Sequence, residues 1–327
     1  MIDAALLDDI ARGRDLDGPR MAGAMRAIMT GQVEASQIGA FLMGLRMKGE
    51  TIEEIAAAAG VMRELATSVP VDPDLAEHLV DTCGTGGDGA GIFNVSTAAA
   101  IVAATAGGHV AKHGNRSVSS KSGSADLLEG AGIALDTTPA DVEAGIRELG
   151  VGFMFAPAYH PAMKHAAGPR REIGVRTVFN ILGPLTNPAH AQAQVVGVPM
   201  AELGERIAHT LRRLGSSHAL VVHGEDGLDE LTTTTGTLVW ELKDGTVRHY
   251  RITPGDLGLR QADPAALKGA DALANASAMR AVLAGASADL RDIVLLNASA
   301  ALLAADIAPN LGEGLRRARE SLDSGSA

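Results

Sequence analysis

The spacing of apolar residues changes near residue 70, and no other feature constrains the fold as much. Before it, apolar residues recur only at helical intervals: Ala4-Leu6-Leu7-Ile10, Met21-Met25-Ile28-Met29 and Ile38-Phe41-Leu42-Leu45. Each set marks one face of a helix. Thr51-Ile52-Glu53-Glu54 has the form of a capping box and opens a fourth helix, Ile55 to about Ala66. Such short amphipathic helices must pack on one another or on a partner. Pro70 and Pro73 mark a linker. Beyond them, short apolar runs alternate with helical stretches. His78–Cys83, His109–His113, Val151–Ala156, Gln194–Val198 and Ala219–His223 read as strands, with helices from about Val95 and about Ser124. This alternation predicts a largely parallel sheet. Leu238–Lys243 and Thr246–Tyr250, parted by Asp244-Gly245, read as a β-hairpin. From Ala272 onward the pattern is helical again. The expected class is α/β: a small helical domain over 1–68, a hinge near 68–78, and a large domain over 78–327 with a mostly parallel central sheet flanked by helices.

Composition narrows the function. Net charge is −11, which argues against a general nucleic-acid binder. The longest apolar stretch, near 293–305, is interrupted by Asn297 and Ser299 and is too short to span a bilayer, so no membrane role is expected. Met1-Ile2-Asp3 opens no basic region followed by an apolar run, so no secretory signal is expected. The one cysteine, Cys83, excludes an internal disulfide and suits a reducing cytoplasm. Only five Phe, two Tyr and one Trp are present, so the core must be built from aliphatic residues and Met. Basic residues cluster in two places, Lys112, His113, Arg116 and Lys121, and Lys164, His165, Arg170, Arg171 and Arg176. Local cations in an acidic chain point to a small anionic ligand, though either cluster alone reads equally as a solvated face.

Asp81-Thr82-Cys83-Gly84-Thr85-Gly86-Gly87-Asp88-Gly89 lies between a strand and a helix. Ligands of open α/β sheets sit at such turns. Glycines let backbone N–H groups approach an anion, and the next helix N-terminus favours phosphate. Gly84, Gly86 and Gly89 formally match a dinucleotide-binding G-x-G-x-x-G, a weak signal by itself. The acidic residue wanted about 20 positions on is missing from Gly107-Gly108-His109-Val110-Ala111-Lys112-His113. The segment also fails as a P-loop, because Ala90 and Gly91 stand where Lys and Ser/Thr belong. Asn94-Val95-Ser96-Thr97 follows. Asn and Ser are good helix caps, a role compatible with ligand binding.

Lys112-His113-Gly114-Asn115-Arg116-Ser117-Val118-Ser119-Ser120-Lys121-Ser122-Gly123-Ser124 combines cations with hydroxyls and a mobile backbone, the donors a polyphosphate needs. A plain Ser/Gly linker is the alternative, but the segment's place inside an α/β unit disfavours it.

These motifs, in this order and spacing, resemble the anthranilate phosphoribosyltransferase family. So do Arg176-Thr177-Val178-Phe179-Asn180-Ile181-Leu182-Gly183-Pro184-Leu185-Thr186-Asn187-Pro188 and Gly227-Leu228-Asp229-Glu230. The resemblance covers nearly the whole chain. It implies transfer of the phosphoribosyl group of phosphoribosyl pyrophosphate (PRPP) to the anthranilate amine, with release of pyrophosphate, in tryptophan biosynthesis, with Mg²⁺ as cofactor. It also implies that Gly84, Gly87, Asp88, Asn94, Val95, Ser96 and Thr97 contact PRPP. Lys112, His113, Gly114, Asn115, Arg116, Ser117, Val118, Ser119, Ser120 and Ser124 would wrap its remaining phosphate oxygens. Gly84, Asn115 and Arg170 would take anthranilate, with the Arg170 fork suited to its carboxylate. Ser96, Asp229 and Glu230 would hold the metal. Mg²⁺ prefers oxygen ligands and often bridges one or two carboxylates to phosphates. The resemblance further implies a homodimer through the helical domain, joined by a helical segment near 163–190. His113 and His160 are candidate proton acceptors, neither of them assigned. Ile92 departs from the family's usual Thr or Ser and cannot donate a side-chain hydrogen bond. Two readings compete: a nucleoside phosphorylase of the same fold, and a non-catalytic nucleic-acid binder. The acidic chain and intact Asn115, Arg170, Asp229 and Glu230 disfavour the second.

Overall fold

The first helices begin where a side chain can take their free N–H groups. In α1 (Ala4–Ala11), Asp3 accepts from Leu6 N–H. In α2 (Gly18–Met29), Asp17 accepts from Arg20 N–H. After α3 (Ala35–Lys48), the capping box of α4 (Ile52–Glu64) is present: Thr51 Oγ1 accepts from Glu54 N–H at 3.2 Å, and Glu54 returns the bond to Thr51 N–H at 2.8 Å. Glu54 is fully buried and also accepts from Leu16 N–H and Lys48 Nζ, both at 2.8 Å. A buried carboxylate is tolerated only when paired and hydrogen-bonded in this way.

The computed structural model describes residues 2–117, 121–286 and 288–327. After α5 (Pro73–Ala76), the chain runs β1 (Leu79–Asp81), α6 (Val95–Thr105), β2 (His109–Gly114), α7 (Ser124–Gly130), α8 (Pro139–Leu149) and β3 (Val151–Phe155). It continues through α9 (Ala156–Tyr159), α10 (Lys164–Ile173), α11 (Phe179–Leu182), β4 (Ala193–Gly197), α12 (Glu202–Arg213) and β5 (His218–Gly224). The hairpin of β6 (Thr237–Lys243) and β7 (Thr246–Ile252) and the helices α13 (Ala272–Leu283), α14 (Ala288–Ala304) and α15 (Leu311–Asp323) complete it.

The seven strands form one sheet in the order β3-β2-β1-β4-β5-β6-β7. β1 to β5 pair in parallel, and β6 and β7 add antiparallel. Asp244, at φ +49°, and Gly245, at φ +73°, supply the left-handed backbone that the hairpin turn requires. β4 is buried along its whole length, which explains its continuous apolar run. Alternate residues serve opposite faces. Val195, Leu220 and Val222 pack with α6, α14 and α15. Val196, Ala219 and Val221 join a second core with α12 and α1 to α4. Ala166, Val178, Phe179, Ile181 and Leu182 belong to that same second core.

From β1 the chain moves to β2 and β3 on one side, then returns to place β4 on the other. The strand order therefore reverses between β1 and β4. In open α/β sheets the crevice beyond the carboxyl ends of such strands is where ligands bind.

Candidate active site

The glycine loop fills that crevice. Between β1 and α6 the backbone enters the left-handed region at Gly86, Gly87, Gly89 and Gly91, with φ of +66°, +84°, +67° and +60°, a run that residues with a Cβ resist. The loop is pinned to the end of β4 and to the 227–230 turn beyond β5. Thr85 N–H donates to the Gly197 carbonyl at the end of β4, 2.8 Å away. Gly86 N–H donates to Asp229 Oδ2 at 2.8 Å. Ser96 N–H, in the first turn of α6, donates to Glu230 Oε1 at 3.2 Å. Asp229 and Glu230 therefore reach the glycine loop and the helix N-terminus that follows it.

This approach depends on missing side chains. A Cβ on Gly84 would lie 3.0 Å from Asp229 Oδ2, and one on Gly197 would lie 1.6 Å from the Asp229 carbonyl oxygen. Gly197 was not among the expected site residues. Its signal in the sequence is a glycine inside an apolar strand pattern, which marks close backbone approach.

β2 delivers Lys112 to the same place. Its buried Nζ donates to Thr82 O at 2.7 Å, to Thr82 Oγ1 at 3.2 Å and to Ser96 Oγ at 3.3 Å. Glycine loop, helix start, carboxylate pair and basic strand thus meet through direct hydrogen bonds. Beneath them, Asp81 accepts from His113 N–H at 3.1 Å and from Asn187 Nδ2 at 2.7 Å. Burial pushes the Asp81 carboxyl up to about 6 against the pull of Asn187 and the Lys112 charge. Burial, then His160, holds His113 down to about 3, and burial holds His160 down to about 4. Both imidazoles are therefore neutral at pH 7, their ring centroids 5.0 Å apart.

The remaining expected contacts divide. Val95 is buried in the core, so its side chain belongs to packing. Thr97 is also buried, and its Oγ1 has no hydrogen-bond partner among the described residues. Asn94 makes no side-chain cap to α6. It donates instead to Ser122 O at 3.0 Å and accepts from Asn275 Nδ2 at 2.9 Å, tying the glycine loop to the basic loop and α13. Gly114 is buried where a Cβ would fall 2.2 Å from Ser124 Oγ. Asn115 is exposed, and its carbonyl accepts from Ser124 Oγ at 3.3 Å. Arg116 pairs with Asp126 at 3.0 Å and Glu129 at 2.7 Å and lies 5.6 Å from the centroid of the Phe155 ring. Ser117 N–H and Gly123 N–H both donate to Asp126 Oδ2 at 2.9 Å, so one carboxylate ties the two ends of the basic loop. Val118, Ser119 and Ser120 lie outside the described residues. Ile92 forms a bridge to Lys268 and packs against the main core, a backbone and packing role.

The electrostatics suit a hard divalent cation. Burial, then the neighbouring Asp88 charge, raises the Asp229 carboxyl, and burial, then Asp229, raises Glu230. Part-buried acids pressed together are relieved by a cation. Two adjacent carboxylates with the Ser96 hydroxyl close by are an all-oxygen donor set of the kind Mg²⁺ takes when substrate phosphates supply the rest. A second cluster, with the ligand atoms of Asp81, Cys83 and His113 within 4.8 Å of one another, does not suit that ion. It offers a part-buried thiol, pushed far up by burial and the Asp81 charge, and an imidazole.

The 163–190 segment carries two arginines of interest, and one of them touches the glycine loop. Arg170 lies 5.1 Å from the centroid of the Phe179 ring and pairs with no carboxylate among the described residues. Arg176 was not expected to act. Its Nη1 donates to Gly86 O at 3.0 Å, and no spacing in the sequence announces that contact. A separate cavity of about 1070 Å³ lies between the α3–α4 turn and α12. Glu50, Glu53, Arg206 and Arg213 line it, and it contains none of the groups above.

Residues 4–66 match the glycosyl transferase family helical bundle domain, and residues 76–327 match the glycosyl transferase family a/b domain. An anthranilate phosphoribosyltransferase from Thioalkalivibrio sulfidiphilus is 56% identical over 313 residues, covering 96% of this chain and 92% of that protein. The crystal structure of anthranilate phosphoribosyltransferase from Thermus thermophilus superposes with a TM-score of 0.91 at 46% identity, covering 98% of this chain and 94% of that one. The Saccharomyces cerevisiae enzyme, in complex with PRPP and Mg, superposes with a TM-score of 0.88 at 27% identity, covering 99% and 95%.

Proposed function

The chain belongs to the anthranilate phosphoribosyltransferase family, and from that premise we propose how its residues carry out the transfer. The enzyme joins the anthranilate amine to the ribose of PRPP, releasing pyrophosphate, a step of tryptophan biosynthesis. It is a glycosyltransferase that works with Mg²⁺. The observation that carries the residue assignment is the hydrogen-bonded junction of Gly86 with Asp229, Glu230 with Ser96, and Ser96 with Lys112.

On this reading the diphosphate of PRPP lies along the glycine loop and the N-terminus of α6, with Gly84, Gly87, Asp88 and residues 94–97 around the phosphoribosyl group. Asp229, Glu230 and Ser96 would hold Mg²⁺, which when bound would supply positive charge to offset the pyrophosphate's. Lys112 positions the Thr82 and Ser96 ends of the loop and places a fixed charge beside the phosphates. The basic loop supplies donors to the remaining oxygens from Lys112 to Ser117 and from Ser124. Arg116 joins them by exchanging its Asp126 and Glu129 partners for phosphate. Arg170, supported by Phe179, takes the anthranilate carboxylate beside Gly84 and Asn115. The amine nitrogen then bonds to ribose C1 as the C1–O bond to pyrophosphate breaks, and the nitrogen loses its proton. His113 and His160, both neutral and buried, serve packing and polarity. A phosphate oxygen or water suffices as proton acceptor. Holding the two substrates in line supplies much of the rate.

The helical domain, residues 1–68 with the 163–190 segment, moves on a hinge near 68–78 and closes over PRPP. It also makes a homodimer. Met43 and Met47, one turn apart on α3, are exposed, Met47 at 80%, an apolar face that a second copy would cover. The cytoplasm suits its one free cysteine, Cys83. Loss of anthranilate fluorescence that requires both PRPP and Mg²⁺ tests the activity. Fluorescence that stays constant with both present overturns it.

A further inference from the structure

Arg176 has no role in the assignment above, yet it lies directly against the glycine loop. Its Nη1 donates to Gly86 O at 3.0 Å. Gly87 makes room for it, since a Cβ there would fall 1.5 Å from that same nitrogen. The other terminal nitrogen, Nη2, is buried and has no hydrogen-bond partner among the described residues. The residue's carbonyl accepts from Arg46 Nη1, near the end of α3, at 2.6 Å. Gly86 closes the chain by donating its own N–H to Asp229 at 2.8 Å.

A guanidinium has five donors and no acceptor, and it stays charged. One of its nitrogens buried without an acceptor is a free-energy loss that a ligand oxygen recovers. No carboxylate of the described residues pairs with it. The adjoining Gly86 and Gly87 are exposed to solvent, so an anion can reach the loop. Within hydrogen-bond reach of Arg176 is the loop assigned to the diphosphate. Arg170, with its aromatic support, remains for the carboxylate.

We propose that Arg176 is a diphosphate-binding residue: Nη2 takes a pyrophosphate oxygen of PRPP while Nη1 and the main-chain carbonyl tie the glycine loop to the helical domain. The inference rests on the phosphoribosyl reading of the site. It makes one residue the link between diphosphate binding and the approach of α3, through Arg46, Arg176, Gly86 and Asp229 in turn. An Arg suits this because its fork can donate in two directions at once.

The test uses the full chain with Mg²⁺ and compares wild type with Arg176→Ala and Arg176→Lys. It reads KM for each substrate and the Kd for inorganic pyrophosphate by calorimetry. Arg176→Ala raises KM for PRPP and the pyrophosphate Kd about tenfold or more, the size expected for a charged hydrogen bond, and leaves KM for anthranilate within about twofold. Arg176→Lys keeps the charge without the fork and falls between. Unchanged pyrophosphate affinity in both variants, or equal rises in both KM values, overturns the proposal. Where thermal melts show that the Ala variant does not fold, the Lys variant decides alone: a raised pyrophosphate Kd supports the assignment and an unchanged one overturns it. Failure of the underlying reading looks different, since wild type itself would then neither bind Mg²⁺-pyrophosphate nor consume anthranilate.

Discussion

Gly197→Ala is the sharpest probe of how the site is built, because it adds one methyl group and removes no functional side chain. The new Cβ would lie 1.6 Å from the Asp229 carbonyl oxygen and 2.4 Å from its carbon. Both are backbone atoms, so no side-chain rotation relieves the clash. To reach ordinary contact at 3.4 Å, the 227–230 turn must retreat by about 1.8 Å. That displacement exceeds the slack in the bonds from Gly86 N–H to Asp229 at 2.8 Å and from Ser96 N–H to Glu230 at 3.2 Å. Overpacking alone costs about 1–3 kcal/mol, which lowers Tm by a few degrees in a chain of this size. The effect on catalysis is larger. A misplacement of about 1 Å can cost on the order of a hundredfold, and here both carboxylates move together. The assay is PRPP-dependent loss of anthranilate fluorescence across an Mg²⁺ titration, with calorimetry on the same samples. We expect a folded protein, an Mg²⁺ midpoint shifted to higher concentration and activity down about a hundredfold. A variant with wild-type turnover and an unshifted Mg²⁺ midpoint would refute the claim that Gly197 sets the carboxylates.

Replacing Asp229 and Glu230 together by Ala should weaken the Mg²⁺ dependence along with activity, and an unchanged metal titration would remove them from the site. Arg170→Ala should raise KM for anthranilate about ten- to a hundredfold, from loss of a charge-assisted pair. Equal changes in KM for PRPP would count against its carboxylate role. Stability should respond to acid through His160. Its folded value is held down to about 4 and its ordinary value is 6.5, so its contribution is intact above pH 6.5 and is lost as pH falls toward 4. Urea unfolding at pH 7 and pH 4.5 should show wild type losing about 2–3 kcal/mol more than His160→Gln, and parallel losses would show the burial penalty to be absent. Asp81, raised to about 6 by burial, acts in the opposite sense, favouring the fold as pH falls from 6 toward 3.8, so the comparison between variants carries the test.

Much of the candidate site was legible in the chain because its parts are contiguous. Glycines between a strand and a helix, a run of cations and hydroxyls, and adjacent acids each have a local chemical reason to be where they are. The strands were equally legible, since the inner ones are short apolar runs and β6 and β7 alternate about an Asp-Gly turn, and the Thr51–Glu54 capping box needs only its own four residues. Other features were not local. Asn94 looks like a helix cap, but its side chain bridges to Ser122 and Asn275. Arg116 looks like a phosphate ligand, but Asp126 and Glu129 hold it in this structure.

The sequence by itself determined which segments become helix or strand, because hydrophobic period, capping and turn chemistry act over a few residues. It also determined which chemical groups are available, since a family's motifs are read in one dimension. Tertiary structure alone decided which of those groups meet. The reversal of strand order between β1 and β4 opens the crevice. Gly197 lets the 227–230 turn close onto it, and Arg176 reaches Gly86 across 90 residues of chain. Such contacts follow from how the sheet and its helices pack, and packing depends on every surface at once.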